Sequence, residues 1–178
     1  PQPPEPRPSL RLADNTQTSQ AAAEGLVQFS DLLLRLGNLR QNDLVFGAFQ
    51  KLIQQRIKAG EVEPKVANLL ELLLYKTRLM GGQVLLARQK GDQLLSWAQE
   101  QPDSEEVLEV YASLLLAAYK GGLPDVTDKY LAPFQAAIEK APPDKAPIWL
   151  FFSQSFAALQ AIQKDPNITV ANLCRRHD

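Results

Sequence analysis

The sequence predicts an all-α protein of seven or eight helices, and three observations favour this fold class. Segments of helical length carry apolar residues that recur with a period of 3.6. Short breakers containing glycine or proline separate these segments, and no segment alternates between apolar and polar residues as a half-buried strand does. The chain has 178 residues, of which 45% are hydrophobic, and this length supports a globular domain with its own core. We therefore expect a soluble globular protein.

The N-terminal segment differs from the rest of the chain in its proline content. Residues 1–13 contain five of the 13 prolines, and proline removes a backbone donor and disfavours a helix interior. We expect a disordered arm over residues 1–13, followed by a single helical domain over residues 14–178. Because the chain begins at Pro1 rather than methionine, we also expect that a preceding segment has been removed.

The first four predicted helices each have apolar residues at helical spacing and end at a breaker. Pro64 suits the first turn of the third helix, where its missing N–H group costs no hydrogen bond. Gly91 is a point at which the fourth helix is expected to split. The predicted helices are 18–36 with Leu26, Phe29, Leu33 and Leu36; 43–59 with Phe46, Phe49, Leu52, Ile53 and Ile57; 64–80 with Val66, Leu69, Leu70, Leu73, Thr77 and Met80; and 85–99 with Leu94, Leu95 and Trp97.

The remaining predicted helices follow the same pattern. Asp103 or Ser104 suits the N-cap of the fifth helix, and Glu105 and Glu106 lie in its first turn, where the helix dipole favours acidic residues. Pro133 is expected to bend the sixth helix or to open its middle. The predicted helices are 105–120 with Val107, Val110, Tyr111, Leu114, Leu115 and Ala118; 125–140; 146–164; and a shorter eighth segment, 169–176.

Two diglycines indicate an internal repeat. Gly81-Gly82 and Gly121-Gly122 are 40 residues apart, and each pair ends one predicted helix and precedes another. Residues 64–101 and 103–141 therefore form two copies of a helix–diglycine–helix unit. A period near 40 is typical of stacked helical hairpins, so we expect stacked antiparallel hairpins.

The first helix of the second copy has two large residues, then a small residue, then another large residue at helical spacing. Its second helix contains small residues and is followed by a proline. These residues are Leu108, Tyr111, Ala112 and Leu115, and Ala136, Ala137 and Pro142. In this spacing the copy resembles a tetratricopeptide-type repeat. The resemblance implies a concave groove that receives a peptide or helix of another protein, but it transfers no peptide-binding residue. A HEAT-like array or an irregular bundle fits the same spacing.

Two helices contain more apolar surface than one core-facing stripe requires. Leu72, Tyr75 and Leu79 lie on the side of the third helix opposite Leu70 and Leu73. A helix that is apolar on two faces is either sandwiched inside the fold or contacts a partner. We therefore take Leu72, Tyr75 and Leu79 as candidate partner anchors.

The seventh predicted helix is rich in aromatic residues and almost free of charge. It contains Trp149, Phe151 and Phe152, and its polar positions are mainly glutamine and serine. Aromatic enrichment with charge depletion is typical of an interface, and it is equally typical of a core. Trp149, Phe151 and Phe152 are the second set of candidate partner anchors.

The sequence lacks the groups from which a catalytic or metal site is usually built. Cys174 is the only cysteine and His177 the only histidine, so the chain can form neither an internal disulfide nor a cysteine-based zinc site. A Ser-His-Asp arrangement in the body of the fold is excluded as well. We expect no enzymatic activity and no cofactor. The longest apolar runs stop well before the 18 or more residues that a membrane-spanning helix needs.

Charge argues against a general nucleic-acid binder. The 19 basic and 20 acidic residues give a formal charge of -1, whereas such proteins usually carry a basic excess. The two halves nevertheless differ, with 12 basic and 8 acidic residues in 1–90 and 7 basic and 12 acidic residues in 91–178. Opposite charges on the two halves could support self-association.

These features favour a non-enzymatic helical-repeat module, a scaffold that binds another protein chain or peptide through apolar grooves. The alternative is a helical bundle that carries an apolar ligand or a lipid, which needs no polar motif. A third hypothesis is a nucleic-acid-associated protein that uses the basic half. The sequence does not identify the partner, the pathway or the cellular compartment.

Overall fold

The computed structural model describes the backbone of residues 8–101 and 105–164, with side chains over 16–101 and 105–162. Over these ranges the chain forms seven α-helices and no strand, so the predicted all-α fold is confirmed. The helices are α1 (Pro8–Arg35), α2 (Leu39–Lys58), α3 (Pro64–Met80), α4 (Leu86–Gln99), α5 (Glu105–Gly121), α6 (Pro124–Ile138) and α7 (Ala146–Lys164).

The observed boundaries lie within two residues of the predicted ones except at the starts of α1 and α2. α1 begins at Pro8 rather than at residue 18, because proline is well tolerated in the first turn of a helix. α2 begins at Leu39, four residues before the predicted start. α4 continues through Gly91 without a break. Residues 1–7 of the predicted arm, the caps at 103 and 104, and the eighth segment lie outside the described residues.

The chain divides into two compact units, Pro1–Gln83 and Val84–Asp178. In unit 1, α1, α2 and α3 form a three-helix bundle in which each helix contacts the other two. Its buried apolar cluster lies where the amphipathic stripes of α2 and α3 meet, with α1 packed against them. The cluster contains Phe46, Ile53, Leu70 and Leu74, against which Leu26, Val27, Ile57, Val66 and Ala67 pack.

A buried polar junction joins the three helices of unit 1. The Asn42 side chain on α2 donates from Nδ2 to the Ser30 carbonyl oxygen of α1, at 3.1 Å, and to Thr77 Oγ1 of α3, at 2.8 Å. Thr77 Oγ1 in turn donates to the Leu73 carbonyl oxygen at 2.8 Å. Ser30, Asn42 and Thr77 are each 1% exposed, so water cannot replace these bonds. The junction therefore fixes the register of all three helices.

We expect Asn42→Ala to destabilise unit 1 by about 1–3 kcal/mol, because it leaves buried polar atoms of Ser30 and Thr77 without their donor. Urea unfolding followed by circular dichroism measures this loss. Gln41→Ala, at an exposed neighbouring position of α2, is the matched control and should change the free energy of unfolding by less than about 0.5 kcal/mol. Equal effects of the two substitutions would contradict the role of the junction.

Unit 2 is built around α5, which contacts α4, α6 and α7. α5 is buried around most of its circumference, from Leu108 to Ala118. Beside it, the Phe134 ring of α6 is the centre of an aromatic cluster. Its centroid lies 5.8 Å from that of Phe152 and 6.3 Å from that of Trp149, and both pairs are nearly perpendicular. Such edge-to-face packing is favourable beyond the burial of area.

Gly91 makes room on α4 for the Tyr130 ring of α6. A Cβ atom at this position would lie 2.3 Å from Tyr130 Oη. Tyr130 is buried, and its hydroxyl donates to Asp92 Oδ1 at 3.0 Å. A ring held in this way cannot move aside at low cost, so α4 requires glycine here despite its low helix propensity.

We expect Gly91→Ala to destabilise unit 2 by about 1–3 kcal/mol, since the new methyl group overlaps a packed ring. Gly47→Ala is the control, because Gly47 is exposed within α2 and a Cβ there meets nothing within 4 Å. That substitution should stabilise the protein by about 0.5–1 kcal/mol through helix propensity. Thermal unfolding of both variants tests the difference, and stabilisation by both would contradict the close approach.

The two diglycine turns have the same local geometry. Gly82 and Gly122 have positive φ angles of 99° and 59°, and the next residue in each turn donates back to the last turn of the preceding helix, Gln83 to Arg78 and Leu123 to Ala118. The tertiary packing differs, however, because α5 and α6 pack as a hairpin within unit 2, whereas α3 and α4 belong to different units. The tetratricopeptide-like repeat and the single domain stay predictions.

Candidate functional site

An apolar groove lies between α1 and α2 on the surface of unit 1. Its volume is about 550 Å³, and its walls come from one face of each helix. The lining is almost entirely apolar, with polar groups at one end only. The large apolar side chains that line it are Leu26 and Phe29 of α1, and Val45, Phe49, Leu52 and Ile53 of α2.

The groove exists because small residues of α1 face large residues of α2. Ala22 and Ala23 leave a space that the side chains of α2 do not fill. Ala23, Ile53 and Val62 are buried and form its floor. The lining residues of α1 run from Thr18 to Phe29, and the eleven helical steps between these two residues make the groove about 17 Å long at 1.5 Å per step.

The walls of the groove reach solvent. Phe29 is 47% exposed, and Phe49 and Leu52 are each 43% exposed. An enclosed cavity would have buried walls. This arrangement is therefore an open groove with a preformed apolar surface, and not a sealed pocket.

One end of the groove is polar. Glu61 Oε2 accepts hydrogen bonds from Arg56 Nη1 at 2.5 Å and from Ser19 Oγ at 2.9 Å. The Arg56 guanidinium, followed by the Ser19 hydroxyl, lowers the pKa of the Glu61 carboxyl below its ordinary value. At neutral pH the carboxylate is ionised and balances Arg56, so the groove presents no net charge at this end.

We expect Arg56→Met to raise the pKa of Glu61 toward its ordinary value, because the main hydrogen bond to the carboxylate is lost. A pH titration of the Glu61 carboxyl carbon by NMR measures this. A lowered pKa means that the contact stabilises the fold above the unfolded-state pKa and stops doing so as the pH falls through the folded-state pKa. An unchanged pKa in Arg56→Met would contradict the assigned cause.

The structure places the first set of candidate anchors away from this groove. Leu72 and Leu79 of α3 are buried and Tyr75 is half-buried. Because Leu72 and Leu79 have no accessible surface to offer, they contribute nothing to an exposed docking surface in this conformation. Their role as partner anchors stays a prediction, and none of the three residues lines the groove.

The second set is divided between two faces of α7. Trp149 and Phe152 are half-buried and pack against Phe134, whereas Phe151 is 72% exposed. Consecutive helical residues point about 100° apart, so the three side chains cannot share one surface. Of the six candidates, Phe151 alone presents most of its side chain to solvent.

The groove residues were not predicted from the sequence. Periodicity assigns Phe29, Phe49 and Leu52 to amphipathic stripes. Apolar spacing indicates which face of a helix points inward, but it does not indicate how deeply that face is covered. The available signal was the run of three alanines at residues 21–23 of α1, which places little volume opposite a stripe of large residues on α2.

Asp92, Lys129 and Tyr130 form a cluster of ionisable side chains in unit 2. Lys129 Nζ donates to Asp92 Oδ2 at 2.6 Å, and this bond, followed by that from Tyr130, lowers the pKa of Asp92. Burial raises the pKa of Tyr130. Each group is thus held in the protonation state that it has at neutral pH, and the cluster offers no group poised for proton transfer.

Within the part of the chain that the structure describes, no three histidine, cysteine or acidic side chains are placed to hold a metal ion. No helix in the described ranges is both long and apolar enough to cross a membrane. Comparison of this chain with known protein families, with curated protein sequences and with solved structures finds no match.

Proposed function

We propose that this protein is a non-enzymatic interaction module, and that the groove between α1 and α2 binds an amphipathic helix of another protein chain. The observation that carries the proposal is the solvent-exposed apolar surface of Phe29, Phe49 and Leu52 around a preformed groove. Exposed apolar patches on globular proteins commonly mark interaction sites.

The dimensions of the groove suit a short helical segment. A length of about 17 Å corresponds to about three helical turns. A helix lying along the groove would insert apolar side chains at i, i+4 and i+7 between α1 and α2, which is the usual way in which an amphipathic helix binds a helical groove. Phe29 and Phe49 would contact those side chains.

The charge of the lining supports the same occupant. Arg56 is the one charged residue among those that line the groove, and Glu61 already balances it. The groove therefore offers no charge for an ionic ligand to bind, and the apolar face of a helix is the complementary surface. The polar face of that helix would remain in water.

The alternative function is the binding of an apolar ligand or lipid. A volume of about 550 Å³ lies within the range of small-molecule pockets, and this observation favours the alternative. Such pockets usually bury most of the ligand surface, whereas the walls of this groove are themselves about half exposed. The open geometry therefore favours a helix over a small ligand.

Photocrosslinking tests the proposal on the 178-residue chain. A photoreactive amino acid replaces Leu52 in the groove, and a second preparation carries it at Leu44, which is 64% exposed on α2 and does not line the groove. Mass spectrometry identifies what each position captures. We expect Leu52, and not Leu44, to capture a segment of another protein with apolar residues at helical spacing.

A synthetic peptide of the captured segment should bind the wild-type chain. Leu52→Glu should weaken that binding by about 30-fold or more, because it places a charge in an apolar contact. Leu44→Glu, the matched control, should change it by less than about twofold, and circular dichroism confirms that both variants fold. Capture of a lipid, of a second copy, or of this chain's own residues would contradict the proposal, as would equal binding by both variants.

A further inference from the structure

We propose that the partner helix is longer than the groove, and that it continues past Phe29 over Leu32 of α1 and Leu36, which follows the last residue of that helix. This inference rests on the proposed function, because it specifies the length and the apolar pattern of the helix that the groove binds. It also adds two contact residues that do not line the groove itself.

An exposed apolar stripe continues from the groove along α1. Phe29 is the last residue of α1 that lines the groove, and it is 47% exposed. Leu32 is 50% exposed and Leu36 is 68% exposed. The three residues follow one another at intervals of three and four, and residues at this spacing lie on one face of a helix. We call Phe29, Leu32 and Leu36 the α1 stripe.

The helical geometry persists to the end of the α1 stripe. The backbone N–H group of Leu36 donates to the carbonyl oxygen of Leu32 at 3.0 Å, and the chain turns at Gly37, whose φ is 70°. Eighteen helical steps separate Leu36 from Thr18, which lines the groove. This interval is about five whole turns, so both residues point in the same direction and lie about 27 Å apart along the axis.

The neighbouring helix does not wall the end of the α1 stripe. The groove wall of α2 begins at Val45, although the helix itself begins at Leu39. Asp31 and Arg35, the charged residues in this part of α1, bind each other through Oδ2 and Nε at 2.7 Å. The stripe therefore offers the same kind of apolar surface as the groove, and exposed apolar surface of this kind commonly marks a contact site.

The opposite end of the groove has a different character. Polar side chains border it, namely Thr16, Gln17, Thr18, Ser19 and Arg56. Apolar surface thus extends from the groove at the Phe29 end, and a bound helix would gain contacts by lengthening in that direction. We therefore expect one end of the partner helix to lie near Arg56 and the other to lie over Leu36.

The length of the combined surface defines the partner. About 27 Å corresponds to a helix of about five turns, two more than the groove alone accommodates. Apolar residues at i, i+4 and i+7 of the partner would lie in the groove, and those at i+11 and i+14 would contact Leu32 and Leu36. The longer helix should bind more tightly, because these contacts remove two exposed leucines from water.

Two designed amphipathic peptides test the length. They have about 12 and about 19 residues, which form about three and about five helical turns. Each has leucine at alternating intervals of three and four on one face, and lysine and glutamate on the other. Fluorescence anisotropy measures their binding to the 178-residue chain. We expect the longer peptide to bind the wild type about tenfold more tightly.

Substitutions in the α1 stripe separate contact from the higher intrinsic helicity of a longer peptide. Leu36→Ala should weaken binding of the longer peptide by about fivefold or more, and that of the shorter by less than about twofold, because only the longer peptide reaches residue 36. Leu32→Ala should do the same. Circular dichroism confirms that each variant folds.

Leu44→Ala is the matched control for Leu36→Ala. Leu44 is 64% exposed, close to the exposure of Leu36. As the residue before Val45, it points about 100° away from the groove wall. This substitution should change the binding of either peptide by less than about twofold.

The outcomes distinguish this inference from the function on which it rests. Equal effects of Leu36→Ala and Leu44→Ala on the longer peptide, or equal effects of Leu36→Ala on both peptides, would overturn the extension and leave the groove as the binding site. A dimer of this chain that Leu36→Ala dissociates would also overturn it, since a second copy would then cover the stripe. No binding of either peptide up to about 1 mM, or binding that Leu52→Glu does not weaken, would overturn the proposed function and the extension together.

Discussion

Polar contacts at both ends of the α1/α2 pair fix the spacing of these two helices, and the surface of unit 1 depends on them. At one end, Asn42 of α2 binds the Ser30 carbonyl of α1. At the other end, Ser19 and Gln20 of α1 bind the segment after α2, through Glu61 and the Glu63 backbone N–H group. Between the two ends the small alanines of α1 cannot fill the gap. The groove is therefore preformed, and a ligand need not open it at a cost in free energy.

Unit 2 is packed around one central helix. α5 is enclosed by three other helices, and α7 contributes Trp149, Phe152 and Phe156 to the aromatic cluster around Phe134. This cluster buries one face of α7, and the other apolar face of the helix remains at the surface. Residues 146–163 of α7 contain no charged residue, so the helix presents only serine, glutamine and apolar side chains to water.

Much of the fold was predictable from the sequence, and the groove between α1 and α2 was not. Periodicity predicted α7 at its observed bounds, because nineteen consecutive residues carry one consistent pattern between two breakers. Periodicity also predicted a split at Gly91, where the structure has a continuous helix. The sequence does not show that the Tyr130 ring occupies the space in which a Cβ atom of residue 91 would lie. Leu72 was a candidate anchor because its helix has two apolar faces, yet burial depends on tertiary packing that no local pattern records.

All the residues that line the groove lie between Thr18 and Val62. Two consecutive helices and the segment after them therefore supply its whole surface, so its contacts are local in the sequence. Contacts between elements that are close in sequence close short loops, which costs little chain entropy and favours fast folding. The shape of the groove thus depends on contacts of the kind that form early when a chain folds.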